Sequence, residues 1–239
     1  MSDPAMIWSY LTQGPLLWLT ATLVAYLIGD AAFRRTGRQS WANPVLIAVL
    51  ILAALLWVTR TDYQTYFEGA QFVHFMLGPA TVALALPLFD NLPRVKKAAL
   101  PMLAGLLVGS GVAVVSVILI ARGFGIGHEV LASLAPKSTT APVAIGIAER
   151  IGGRPTLTAA LVLLTGIFGA IIATPLLNAL HIRDWRARGF SVGVAAHGIG
   201  TARAFQVNET AGAFAGIGMG LNAVLTAIIA PLALRFLGG

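Results

Sequence analysis

"LAPKSTTAPVAIG" occupies Leu134–Gly146 and puts a lysine, three hydroxyls and two prolines inside an otherwise apolar part of the chain. Pro136 lacks an N–H and disfavours helix for the residue before it. Ser138, Thr139 and Thr140 are residue types that begin helices, and Pro142 is tolerated in a first turn. The local reading is therefore helix, break, helix. One half runs over about Val130–Ala135; the other begins near Thr140 and ends around Glu149–Arg150.

The surroundings decide what such a break means. Of 239 residues, 57% are hydrophobic and 10% are charged, against about 25% charged in soluble domains. The uncharged runs Pro4–Gly29, Gln39–Thr59, Gly69–Phe89, Ala98–Ala121, Pro155–Leu180 and Ala211–Leu234 are each about 20 residues or longer, enough to cross a ~30 Å hydrocarbon layer as helices. A soluble bundle would need charged outer faces between its apolar stripes. Val130–Ala148 and Gly189–Gln206 add two shorter segments. The expectation is an all-α polytopic membrane protein of about eight segments, two or three of them broken, forming a single integral membrane domain over residues 1–239. The break then falls about 10 Å from Glu129 along the helix axis, near mid-membrane.

The net charge of +7 comes largely from the clusters Arg34/Arg35/Arg38, Arg94/Lys96/Lys97 and Arg183/Arg186/Arg188. Short basic connections mark the cytoplasmic side, so the charge reads as topology and not as nucleic-acid binding. The first two clusters place the N-terminus outside and Arg60–Glu68 external. If Val130–Ala148 crosses once, the third cluster falls outside; either the rule fails there or a short segment is re-entrant. The absence of cysteine excludes disulfides and thiolate metal sites. No metal site and no cofactor is expected.

Three stretches share a rhythm of a Gly/Pro/Thr-interrupted segment, a charged turn and a long apolar run. They begin at "GPATVALALPLFD", "STTAPVAIGIAER" and "GIGTARAFQVNET", with Thr81, Thr140 and Thr201 about 60 residues apart. Paired interrupted segments in transporters mark the substrate site, so an internal repeat is expected. The glycines of the long runs, such as Gly105, Gly109, Gly166 and Gly218, read as helix packing.

A break at membrane depth exposes N–H groups and hydroxyls, and the helix dipole with Lys137 adds positive charge; together they suit an anion. The competing reading has Lys137 reaching the interface, but charge at that depth is costly and usually functional. In "AAHGIGTARAF", Gly198 and Gly200 free the backbone and Thr201 can cap a helix. Arg203 can clamp a carboxylate, and His197 can carry a coupling proton. The bland alternatives are a hydrogen-bonded buried histidine and an interfacial arginine. The substrate-binding candidates are Lys137, Ser138, Thr139, Thr140, His197, Gly198, Gly200, Thr201 and Arg203, with His197 and Glu149 as ion-coupling candidates. His74, Thr81 and Asn222 are secondary, Asn222 as a bond across helices. "KST" is a poor Ser–Lys pair, because adjacent helical residues point apart. No enzyme is expected.

"LAPKSTTAPVAIGIAERIGGRPTLTA" and "AAHGIGTARAF…GAFAGIGMGLNAVLTAIIAPL" resemble the signatures of the LrgB/CidB family of bacterial membrane proteins, over about residues 10–236. "LGPATVALALPLF" resembles the same family's earlier segment. The resemblance implies a multi-pass protein of the bacterial cytoplasmic (inner) membrane, linked to murein hydrolase control and cell lysis. It implies a holin-like or antiholin-like partnership with a small LrgA/CidA-type membrane protein. The sequence is also similar to the membrane domain of the plastid glycolate/glycerate translocator. The matching motif positions are Lys137, Ser138, Thr139, Thr140, Pro142, His197, Gly198, Gly200, Thr201 and Arg203. The expected function is secondary transport of a small monocarboxylate of the glycolate, glycerate, lactate or pyruvate type. Lys137 or Arg203 would neutralise it, hydroxyls would bond its 2-OH, and H⁺ or Na⁺ would be coupled. A homodimer in the lipid bilayer is expected. The alternative is a regulator of lysis acting through oligomeric assembly.

Overall fold

The computed structural model describes residues 15–76, 79, 89 and 92–238, with the side chains of Pro15, His74 and Arg94 outside that description. Thr81 and most of the interrupted segment around it lie outside the described residues, as does the side chain of His74. The described residues form helices and connections, without strands. They fall into two compact units, Met1–Ala83 and Leu84–Gly239.

The first unit contains α1 (Pro15–Arg35), α2 (Pro44–Thr59) and α3 (Tyr63–Phe75). The Gln39–Thr59 run yields a helix shorter than the run itself. Asn43 accepts hydrogen bonds from the N–H groups of Val45 and Leu46, and Pro44 opens the first turn, so helix starts there. At 16 residues, α2 is about 24 Å long. Ala25 of α1 buries against Ala48 and Leu52 of α2. Trp18 meets Tyr66 of α3 edge-on, with ring centroids 5.9 Å apart.

The second unit holds α4 (Leu92–Lys97), α5 (Ala99–Gly123), α6 (His128–Leu134), α7 (Ala141–Arg150), α8 (Pro155–Ala179), α9 (Trp185–Val207) and α10 (Glu209–Leu237). Among the described residues, four helices are long and apolar enough to cross a membrane: those spanning Leu16–Arg35, Ala99–Gly123, Pro155–Ala179 and Glu209–Leu237. α5 and α10 run in the same direction. Met102 and Leu106 pack with Phe214 and Ile217 at one end, and Val114, Ile118 and Ala121 pack with Ala230, Ala233 and Leu234 at the other. There Arg122 Nη1 donates to the carbonyl of Leu237 at 2.7 Å.

Between these long helices the chain twice folds back on itself. α6 and α7 are separated by turns at 135–140, with Lys137 N–H donating to Leu134 O and Thr139 N–H to Pro136 O. A single rod would hold Glu129 and Arg154 about 37 Å apart. They instead approach to 3.9 Å, and Arg154 N–H donates to Ser133 Oγ at 2.7 Å. α7 therefore returns to the level at which α6 began. Gly153 permits this closure, since a Cβ there would sit 2.8 Å from backbone atoms of Ala132 and Ser133.

α9 does the same. Its backbone leaves helical geometry at Ala196 and at His197, where φ is 40° and ψ is −135°. A straight helix would separate Arg188 from Val207 by about 28 Å, yet both line one small cavity of about 30 Å³. Val192 and Ala204 share a core cluster. The halves 185–195 and 198–207 thus form a second hairpin, which packs closely on α10. A Cβ on Gly193 would lie 1.9 Å from the Ala215 carbonyl oxygen.

The two hairpins enter from opposite ends of the unit. The first starts beside Arg122 and the end of α10; the second starts beside the beginning of α5, because Asp184 and Arg186 line the same cavity as Lys97 and Ala98. α8 runs between the two ends. Its Thr158 bonds to Ser133 O of the first hairpin, and its Leu177 packs with Val192 and Ala211. The order over 128–179 and 185–237 is hairpin, long helix, hairpin, long helix.

Candidate functional site

The tips of the two hairpins are pinned by reciprocal hydrogen bonds. Asn222 of α10 donates through Nδ2 to the Ser138 carbonyl at 3.0 Å, supplying a partner that the break in the helix removed. Its Oδ1 accepts from Ser110 of α5 at 2.6 Å and from Thr226 at 3.1 Å. These side chains are fully buried. In the other direction, His197 at the second tip lies 2.9 Å from the Val162 carbonyl of α8. A carbonyl only accepts, so Nε2 carries the hydrogen. α10 thus holds the tip of the first hairpin, and α8 the tip of the second. Gly166 makes room for the ring, since a Cβ there would lie 2.6 Å from His197 Cε1.

Lys137 and Ser138 turn from the first tip into a cavity of about 770 Å³. Lys137 is half-buried, and its Nζ lies 3.3 Å from Ser138 Oγ. Among the described residues no carboxylate forms an ion pair with it. The cavity follows the end of α4 at Lys97 and then α5 from Pro101 to Ala113, with the first half of α9 and Phe214 of α10 as its other walls. At its far end Asp184 and Arg186 pair closely, Nε of Arg186 lying 3.0 and 3.1 Å from the two carboxylate oxygens. Hydrogen bonding from this guanidinium holds the Asp184 carboxyl down to about 2. Asp184 also caps α9 by accepting from the Arg186 N–H.

Beyond Lys137 and Ser138, the candidates named from sequence are dispersed. Thr139 is buried with its hydroxyl unpartnered among the described residues, at the start of α7. Thr140 is the cap residue of α7, but its side chain makes no capping bond. Thr201 spends its hydroxyl on the His197 carbonyl at 2.7 Å. Gly198 lies near Met219 and buried Gly200 lies against Ala196 and Val192, so both serve the turn and its packing. Arg203 lines the separate small cavity with Arg188, whose guanidinium stacks 4.9 Å from the Trp185 ring. Arg203 therefore does not share the Lys137 cavity. Glu149 is exposed near the end of α7. Sequence reasoning missed Ser110 and Thr226; a serine and a threonine within otherwise apolar runs were the available signal.

Among the described residues, four helices long and apolar enough to cross a membrane, with helical hairpins between them, define a helical membrane protein. Residues 22–236 match the LrgB-like family, and the chain belongs to it. It is 35% identical to the uncharacterized protein YwbG of Bacillus subtilis, over 92% of this chain and 97% of that protein. It is 35% identical to the uncharacterized protein YxaC of the same organism, over 91% and 94%. It is 28% identical to the antiholin-like protein LrgB of Bacillus mycoides, over 95% and 99%. No solved structure matches significantly.

Proposed function

We propose that this LrgB-family protein is a carrier that moves monocarboxylates across a bacterial cytoplasmic membrane by alternating access. One observation carries the reading: Lys137, free of any acidic partner among the described residues, sits at a hairpin tip on the inner end of a large cavity. An unneutralised cation at that depth is expensive unless an anion visits it. The start of α7, which no side chain caps, adds N–H groups and the dipole's positive end. In this proposal the hairpins are re-entrant segments and not crossings. The basic connections 94–97 and 183–188 then share the cytoplasmic side, which removes the conflict raised by the charge pattern. Opposed hairpins suit alternating access, because releasing one tip or the other opens the site to one face. Coupling to H⁺ or Na⁺ and assembly as a homodimer belong to the same proposal.

A second reading has support of a different kind. The relatives named antiholin-like favour a regulator of lysis that acts by assembly in the membrane. Uptake of labelled pyruvate and lactate into liposomes holding only this protein separates the two. Saturable uptake lost in Lys137→Ala supports the carrier. A leak of unrelated solutes, equal in wild type and Lys137→Ala, would overturn it and favour the regulator.

A further inference from the structure

The chemistry of the Lys137 cavity changes along its length, and this discriminates among monocarboxylates. From Pro101 to Ala113 the α5 wall extends about 18 Å. Fixed charge is confined to the two ends. At the mouth, Asp184 and Arg186 neutralise each other and Lys97 is exposed; at the inner end stand Lys137 and Ser138. Between them the walls are Pro101, Met102, Phe190, Val194 and Phe214. The hydroxyl on this middle stretch belongs to Ser191, and its hydrogen is committed to the Arg188 carbonyl at 3.0 Å. Thr139, Thr140 and Thr201, the hydroxyls that sequence offered to a substrate 2-OH, are not part of the lining.

An acid anchored at Lys137 therefore projects the rest of its body along apolar surface. Hydroxyls or a second carboxylate there would lose water without gaining partners, whereas alkyl or aryl groups would gain by burial. The volume, about 770 Å³, is that of a site for a drug-sized ligand, well beyond the needs of a three-carbon acid. We propose that this cavity selects monocarboxylic acids with an apolar remainder, such as branched-chain or aromatic 2-oxo acids, over polyhydroxylated acids and dicarboxylates. The inference rests on the reading of Lys137 as a carboxylate anchor.

The test is calorimetric titration of the protein in lipid nanodiscs with pyruvate, 4-methyl-2-oxopentanoate, phenylpyruvate, glycerate and the neutral 4-methylpentanamide. Binding should tighten at least about tenfold from pyruvate to 4-methyl-2-oxopentanoate. Glycerate should bind no better than pyruvate, and the amide much more weakly than the branched acid. Phe190→Ala should narrow the gap between the branched acid and pyruvate. Glycerate matching the branched acid would overturn the selectivity while leaving the carboxylate site intact. The amide binding as tightly as the acid would overturn it too, since Lys137 would then play no part. Failure of every acid to bind a protein that still unfolds cooperatively would remove the carboxylate site itself.

Discussion

Replacing Asn222 with leucine should loosen the first hairpin tip from the bundle. The change removes the donor to the Ser138 carbonyl and the acceptor shared by Ser110 and Thr226, all in a site closed to water. The two hydroxyls can turn to backbone carbonyls four residues earlier on their own helices, so their loss is partly recovered. The Ser138 carbonyl, in the break, has no helical partner to fall back on. An unpaired buried carbonyl costs about 1–3 kcal/mol, and interhelical side-chain bonds in membrane proteins average about 0.6 and reach about 1.7 kcal/mol. A destabilisation of about 1–3 kcal/mol at the tip would raise its open population about 5- to 150-fold. The chain has no cysteine, so Thr139→Cys, at a fully buried position, reports opening through its rate of maleimide labelling. Combining it with Asn222→Leu should accelerate labelling by a factor in that range. Equal rates with and without Asn222→Leu would refute the claim that Asn222 holds the tip.

Further outcomes follow from the packing and the turns. Gly193→Ala places a methyl 1.9 Å from the Ala215 carbonyl oxygen and should cost about 1–3 kcal/mol. Gly111→Ala, with nothing within 4 Å, is the matched control; equal melting temperatures for the two variants would contradict the close α9–α10 contact. At His197, φ of 40° disfavours any side chain. His197→Ala and His197→Gly lose the same bond to Val162, but the glycine variant also sheds the strain. The glycine variant should thus be the more stable by about 1–2 kcal/mol, against the ordinary order within a helix; the opposite order in thermal unfolding would contradict the turn. Asp184 has its folded value depressed to about 2 from 3.8 by hydrogen bonding from Arg186. Its stabilising contribution is therefore fully present above about 3.8 and is lost as pH falls towards 2. The difference in unfolding temperature between wild type and Asp184→Asn should vanish across that window, and a difference that persists below pH 2 would contradict the pairing.

Composition and uncharged run length made the membrane-helix character readable, because both follow directly from hydrocarbon thickness. Pro136 and the hydroxyl run similarly located a break between Leu134 and Ala141, since proline acts through its own backbone. The reversal at each break was not readable. It depends on contacts such as Glu129 with Arg154 and Val192 with Ala204, which are tertiary. The charge pattern around Arg183–Arg188 registered the difficulty without resolving it. The site was read as one constellation because Lys137, Thr201 and Arg203 are individually suited to a carboxylate. Arg203 nevertheless follows the second half of its hairpin away from the tip, so it joins Arg188. Asn222 was visible as a polar residue in an apolar run, but its partners on α5 and at the break come only from the way the helices pack.

The proposed carrier depends on two hairpins that start from opposite ends of the unit, the first pinned at its tip by α10 and the second by α8. Single cysteines at Glu129, Arg150, Arg186 and Glu209, each in the otherwise cysteine-free protein, can be probed in sealed vesicles of known orientation with a membrane-impermeant maleimide. Positions 129 and 150 should react from one common face, and positions 186 and 209 from the other. Labelling of 129 and 150 from opposite faces would mean that this segment crosses the membrane, and the paired-hairpin site would not exist.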